Sequence, residues 1–524
     1  MQVTRTITLI ALVAGYLHFA GTASIDRQEL AAEATVQLPP FLVQGQTISW
    51  FYGELPGLCV LSACSRDVTK GFVGRYLRSK AEFAALVPEK FRQNEPELLI
   101  LVPPKHAKTI SREMSGLMHD VSNSAPTIAH LRVSGGDLTA TYLIVDPDVQ
   151  SEAPAPDRAN PFGFRKWDSE VVDDRLPDYL RFTLSAEYVD YQLLARRSGM
   201  LPCIVSGLAA TFEATAETAG GVASLPDTWL SMDDWRAVRR DPEAPRPLLP
   251  IEEVLRGPPP SSKDPRYVRL WHSEAELFVR WALFSDNGKH SEAFWRFALE
   301  SSRQPLDEQN FQSCFGFDYS DGHDALSDYL PLAAGAPVKW SFPIPDSPSF
   351  KIHRADSEEI GWVKGEWNRL VLKAVGRDFP SLLPLYRRQA LTILTRALSQ
   401  GDRSARLVAS LALVQAESGD DAAAMNSLEE AVSAGSRRPL VLAELARLRL
   451  KRYLEAKSGN NRKLTEAEAS DIFSLVQKAL ESFPLVAEES AVVRAALDHL
   501  GRKPTSEELG ILDKTNDQRG NDQK

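Results

Sequence analysis

The residue types able to do chemistry gather in one stretch, Leu184 to Glu213, which reads LSAEYVDYQLLARRSGMLPCIVSGLAATFE. Within it, Glu187, Asp190 and Ser206 carry oxygens that could hold a metal or move a proton. A hydrolytic zinc site carried on a helix needs two histidines at i and i+4, with a glutamate beside the first as general base. That pattern is missing here. The nine histidines are scattered, and none has a second histidine three or four residues away. Asp321, His323 and Asp324 lie together in SDGHDALSD, which reads as a polar turn leading into a helix. No Gly-x-Ser-x-Gly, P-loop or dinucleotide fingerprint occurs anywhere in the chain.

The elements that must position these residues follow from periodicity. Pro177 suits the first position of a helix. Beyond it run two apolar rows, Leu180, Leu184, Tyr188, Tyr191 and Leu194, and Phe182, Ala186, Val189 and Leu193. A helix apolar on two sides is enclosed by its domain. A proline-rich loop, DPEAPRPLLPIEEVLRGPPPSSKDP, leads to two more helices, Tyr267 to Phe284 and Ser291 to Ser301. Upstream, VQLPPFLVQGQTISWFYGELPGLCVLSACS is rich in β-branched and aromatic residues and punctuated by turns, so short strands are expected. Asp67 to Phe91 switches to helical spacing. ELLILVPP (Glu97 to Pro104) and LTATYLIVDP (Leu138 to Pro147) read as strands, with VSGGD as a hairpin turn before the latter.

From about residue 362 helix follows helix, and a repeat is legible. Ala390, Leu394 and Ala397 return at Ala424, Leu428 and Ala431, each displaced by 34 residues. Small residues flanking a larger apolar one are what crossing helices in stacked hairpins need. The period, the SGDDAAA turn and the pair Leu411-Ala412 resemble the tetratricopeptide repeat. A looser third copy places Ile472, Val476 and Ala479 further on, followed by Pro484. Thr465 and Glu468 are spaced as a capping box for that copy's helix. The polar tail, DKTNDQRGNDQK, reads as disordered.

The chemistry-bearing stretch in its turn resembles the gluzincin group of peptidase MA-like proteins. Their pattern runs His-Glu-Tyr-x-His, then Leu-Pro-x-Trp-x-x-Glu-Gly-Leu-Ala. On this pattern Ala186 stands at the first histidine, Glu187 at the base, Tyr188 at the tyrosine and Asp190 at the second histidine. Leu201-Pro202 and Gly207-Leu208-Ala209 match directly, and Ser206 stands at the glutamate ligand. Between the proline and the glycine the chain is one residue shorter. LWHSEAELFVRWALF, GKHSEAFWRFALE and FQSCFGFD resemble the family's later helices and closing turn. The resemblance implies a gluzincin-like fold whose three metal-ligand positions have all changed. Zinc needs three or four good donors, and only Asp190 remains competent, so no cofactor is expected.

Composition sets the bounds. The chain has 524 residues, a net charge of -10, 43% hydrophobic and 25% charged residues. This suits a folded protein of about three domains and argues against nucleic acid as a partner. Arg5, the apolar run Ile7 to Ala20 and the small residues after it have the order of a secretory signal peptide. No later run is long and apolar enough to span a membrane. The four cysteines are too few for a disulfide framework, and mostly buried free thiols are expected.

The expected architecture is α+β. A signal peptide (1–23) precedes a small N-terminal α/β unit (24–135), a degenerate gluzincin-like domain (136–345), a linker (346–361), an all-α tetratricopeptide-like solenoid (362–500) able to fold alone, and a tail (501–524). The expected protein is exported, to the periplasm or beyond. It is a pseudo-metallopeptidase that binds an unknown protein or peptide partner. The alternative is an active metal-dependent peptidase with non-standard ligands.

Overall fold

The structure is a computed structural model. It describes residues 48–92, 96–104, 106, 130–134, 138–145, 189, 193, 200–213, 215–218, 221–224, 248–257, 265–301, 306–342, 350–378, 380–400, 403–460, 465–481 and 493–498. The signal peptide, the tail, Pro177 and most of the 177–194 helix expected from the sequence lie outside the described residues.

In chain order the first elements are β1 (Phe51–Leu55), β2 (Leu58–Ser62), α1 (Arg66–Leu86), β3 (Glu97–Val102), β4 (His130–Ser134) and β5 (Thr139–Ile144). Then come α2 (Pro202–Glu213), β6 (Thr215–Thr218), β7 (Gly221–Ser224), α3 (Ile251–Arg256) and α4 (Pro265–Phe284). They are followed by α5 (Ser291–Glu300), α6 (Glu308–Phe315), α7 (Tyr319–Gly335) and β8 (Val338–Trp340). The C-terminal part holds β9 (His353–Arg354), α8 (Ser357–Asp378), α9 (Leu383–Gln400), α10 (Ala405–Glu417), α11 (Asp421–Ser433), α12 (Pro439–Asn460) and α13 (Glu466–Glu481). The fold is mixed, with a small sheet near the N-terminus and a helix-rich C-terminal part. It divides into two compact units, one within 1–69, 94–146 and 349–516 and the other within 70–93 and 147–348.

The first unit is built on a six-stranded sheet of order β4-β5-β3-β2-β1-β9. β2 and β3 run parallel, as do β3 and β5, and the outer pairs are antiparallel. Pro56 and Gly57 make the two-residue turn between β1 and β2. Gly57 takes a φ of 72°, which only glycine adopts cheaply, and proline presets the residue before it. Every residue of β3 is buried, as an apolar strand covered on both faces must be.

α8 lies against this sheet. Trp362, Val363, Trp367 and Leu370 share one core with Leu98, Ile100, Ala140 and Tyr142, and the rings of Tyr142 and Trp367 stand 6.3 Å apart. Every residue from Glu358 to Leu370 is buried. The helices after it pack as consecutive pairs, α8 with α9, α10 with α11 and α12 with α13. The first members also touch in series, α8 to α10 and α10 to α12.

The repeated positions are the contacts of this array. Ala390, Leu394, Ala397, Ala424, Leu428 and Ala431 are all fully buried. Gly365 lets α9 approach so closely that a Cβ there would stand 2.3 Å from Leu394 Cδ2. The helix starts are capped by Ser404, Asp420 and Thr465, each accepting from a backbone N–H three residues on. Thr465 N–H donates back to Glu468, completing the box expected from the sequence.

A buried chain of charges ties the array together. Glu366 on α8 accepts from Arg369 Nε at 2.8 Å, Arg438 Nη2 at 2.7 Å and Ser410 Oγ at 2.5 Å. Arg369 Nη1 reaches on to Glu417 at 3.0 Å. Burial alone would raise the Glu366 pKa, but Arg369 and Arg438 overcome it and hold the carboxyl well below its ordinary range. Three helix pairs therefore share one ion network.

Domain boundaries differ from those read off the sequence. β5, expected after the boundary at 135, completes the N-terminal sheet beside β3. β9, expected in a linker, pairs with β1 through Phe51↔Arg354 and Tyr52↔His353. Phe83, Val87 and Phe91, expected in the N-terminal unit, belong to the core of the second unit. Strand partners and core membership are chosen by long-range packing, which local pattern does not encode.

In the second unit α4 is the spine. α2 packs on it, and a three-stranded antiparallel sheet, β6-β7-β8, lies beside them. Phe278, Phe294, Phe297, Phe311 and Phe315 fill the space between α4, α5 and α6 with edge-to-face and tilted ring pairs. All four cysteines are free thiols, Cys64, Cys203 and Cys314 buried and Cys59 half-buried.

Candidate functional site

Of the four positions singled out in the sequence, the described residues include one. Ser206 sits in α2 and is nine-tenths buried. Ala186, Glu187 and Asp190 lie outside the described residues. Their neighbours Val189 and Leu193 are helical and buried in the core that also holds Ile204 and Leu208. That is the burial expected of one apolar row of the helix.

Ser206 Oγ lies 2.5 Å from Nδ1 of His272 on α4. The two are brought together by a close contact between α2 and α4. Gly207, one residue on, lies against the α4 backbone, so that a Cβ would stand 2.2 Å from the carbonyl oxygen of Ala275. Only glycine permits that approach. Sequence spacing could not reveal the pair, because Ser206 and His272 are 66 residues apart.

Other polar side chains of α4 also bond to neighbours. Trp271 Nε1 donates to Val254 O at 2.8 Å, and both oxygens of Glu274 accept from Leu249 N–H at 2.9 Å. Tyr267 donates to Glu253 at 3.0 Å; burial, then this carboxylate, push its phenol up to about 12. Arg280 bridges Glu276 at 3.3 Å and the Ser224 carbonyl at 2.7 Å. These side chains knit α4 to α3, to Leu249 just before it and to β7.

Chemically, a serine against an imidazole nitrogen is a pair that can share a proton. Ser206, nine-tenths buried in a helix crossing, and His272 share one hydrogen bond whose direction follows the imidazole tautomer. Among the described residues no three His, Cys, Asp or Glu side chains converge as a metal site would require. Asp321, His323 and Asp324 lie inside α7 and not in a turn before it. Asp318 caps that helix by accepting from Asp321 N–H at 2.9 Å, and His323 stands 3.8 Å from Asp324 at the surface.

In the first unit a second polar cluster surrounds Arg406, at the start of α10. Its guanidinium holds Glu358 of α8 with two bonds, at 3.0 and 2.8 Å, and donates to Tyr52 OH of β1 at 2.7 Å. It also reaches Glu54, which Tyr52 contacts as well, while Ser404 bonds Glu358. The same guanidinium stacks over the rings of Trp362 at 4.7 Å and Tyr52 at 5.1 Å. Burial works against its charge, yet the bond to Glu358 and the Glu358 and Glu54 carboxylates raise its pKa overall. Nothing in the sequence marked this cluster, since 354 residues separate Arg406 from Tyr52.

No protein-family model matches this chain, and no curated protein is detectably similar to it in sequence. Among the described residues no helix is long and apolar enough to cross a membrane.

Proposed function

We propose that this chain is an exported, catalytically inactive peptidase-like protein that binds a protein or peptide partner. In this reading the middle of the chain is a degenerate gluzincin-like domain and the C-terminal helix pairs are a tetratricopeptide-like array. The observation that carries the inactive half is the Ser206–His272 contact. Ser206, which aligns with the family's third metal ligand in this reading, is hydrogen-bonded to a protein side chain inside a helix crossing. A competent ligand would present that oxygen to the metal.

The binding half is supported by the paired helices. Stacked pairs held by one buried ion network form a rigid surface, and rigid helical arrays present extended faces to peptides and partner proteins. Elemental analysis of purified protein tests the reading, with zinc well below one per chain expected and no hydrolysis of unfolded casein. Zinc at one per chain, with peptide cleavage lost on Glu187→Gln, would overturn it in favour of a metal-dependent peptidase with non-standard ligands.

A further inference from the structure

α4 ends at Phe284, and the chain turns into α5 through Ser285, Asp286, Asn287, Gly288, Lys289 and His290. Asp286 (φ 46°, ψ 43°), Asn287 (φ 58°) and Gly288 (φ 80°, ψ 22°) follow one another in the left-handed region. L-residues visit that region singly, Asn and Asp more readily than most, so three in a row need support. Backbone and side chain supply it. Gly288 N–H donates to Ser285 O at 2.8 Å and Ser291 N–H to Gly288 O at 3.0 Å. Ser285 Oγ donates to Trp281 O at 2.5 Å. Beyond the turn, the His290 ring stacks on Trp281 with centroids 4.6 Å apart and meets Phe317 edge to face at 6.1 Å. Asp286 and Asn287 themselves are exposed.

An asparagine before a glycine can cyclise on itself, because glycine puts no side chain in the path of its own nitrogen. The Gly288 nitrogen gives its proton to hydroxide and attacks Asn287 Cγ. The Cγ–Nδ2 bond breaks, Nδ2 leaves as ammonia, and a five-membered imide closes. Water then opens the ring at Cγ to give aspartate, or at the backbone carbonyl to give isoaspartate. No other reactant is needed. In the closed turn the first step is opposed, since the Gly288 proton is held by Ser285 O. The product is opposed in its turn by the fold. Its new carboxylate stands beside Asp286 just past the C-terminal end of α4, where both the like charge and the helix dipole disfavour it.

We propose that Asn287-Gly288 is a site of spontaneous deamidation, guarded by this left-handed turn and by the His290–Trp281 stack, and that the modification makes a transient opening of the turn lasting. The site is independent of the binding role proposed above.

The experiment incubates the full-length protein in mildly alkaline heavy-oxygen water and follows label in the peptide carrying Asn287 by mass spectrometry. Label should enter folded wild type at least ~10-fold more slowly than the same protein held unfolded in urea, because the reaction waits on local opening. His290→Ala removes the stack and should speed entry into the folded protein ~5-fold. His290→Phe keeps a ring on Trp281 and should stay within ~2-fold of wild type. Asn287→Asp installs the product carboxylate, and its Gly288 and Ser291 amides should exchange hydrogen ~5-fold faster than those of wild type. Equal label entry in folded and unfolded wild type, or none in either, would overturn the proposal. So would His290→Ala at the wild-type rate, or equal acceleration by His290→Ala and His290→Phe, which would trace to lost stability and not to the stack. Unchanged exchange in Asn287→Asp would overturn the lasting opening.

Discussion

The α-carbon of Gly207 faces the carbonyl of Ala275 with no room for a side chain: a Cβ placed there would lie 2.2 Å from the oxygen and 2.6 Å from Val279 Cγ2. The first neighbour is backbone and cannot rotate away. Gly207→Val should therefore force α2 and α4 apart, at a cost of about 1–3 kcal/mol or more through overpacking. Thermal unfolding of the variant checks this. The Ser206–His272 bond should weaken with it, visible as a change in the His272 ring chemical shifts. An unshifted melting temperature would mean that the two helices do not cross at glycine.

Trp367 is the largest fully buried side chain in the first unit and stands against Tyr142. Trp367→Ala should cost about 3–5 kcal/mol. By the same contact, residues 362–500 expressed alone would expose Trp362 and Trp367 to water. The expectation that this stretch folds alone gives way to its opposite. The fragment should bind a hydrophobic dye and aggregate, whereas the full chain should not. A soluble, monomeric and cooperatively melting fragment would refute the shared core.

Glu366 links stability to pH. Its folded pKa is depressed below the ordinary 4.5, so the native state holds the carboxylate charged while the unfolded chain takes up the proton first. Its stabilisation is present at neutral pH and fades as pH falls below about 4.5 toward the folded value. Glu417 works in the opposite sense: burial raises its pKa despite Arg369, so its ionisation costs stability as pH rises past 4.5. The comparison that isolates Glu366 is Glu366→Gln against wild type. Urea unfolding from pH 7 to 3 should show the variant destabilised at pH 7, with the gap narrowing as the medium turns acid. A gap independent of pH would mean that the ion network contributes no charge-dependent stability.

The rows that repeat every 34 residues predict substitution tolerance. Ala424 and Ala431 are both fully buried at helix contacts, so Trp at either should cost about 1–3 kcal/mol through overpacking. Trp at Met425, half-buried one position off the row, should be tolerated better. Equal melting temperatures for Ala431→Trp and Met425→Trp would count against the register of these helices.

What the sequence determined by itself was local. The short strands after residue 48, the Thr465–Glu468 box, the strand ELLILV and the small–large–small rows of α9 and α11 all stand where the residues indicated. Each depends on partners within about one helical turn or on a strict period, and near neighbours in the chain impose those constraints directly. Tertiary structure decided what meets what. It placed β5 and β9 in the N-terminal sheet, set Ser206 against His272, and joined Arg406 to Tyr52 across 354 residues. Those choices are made by burial summed over whole faces and by polar groups that must find partners once water is excluded. Neither quantity belongs to any short segment. For this reason Ser206 could be singled out from the order of residues, whereas the histidine against it could not.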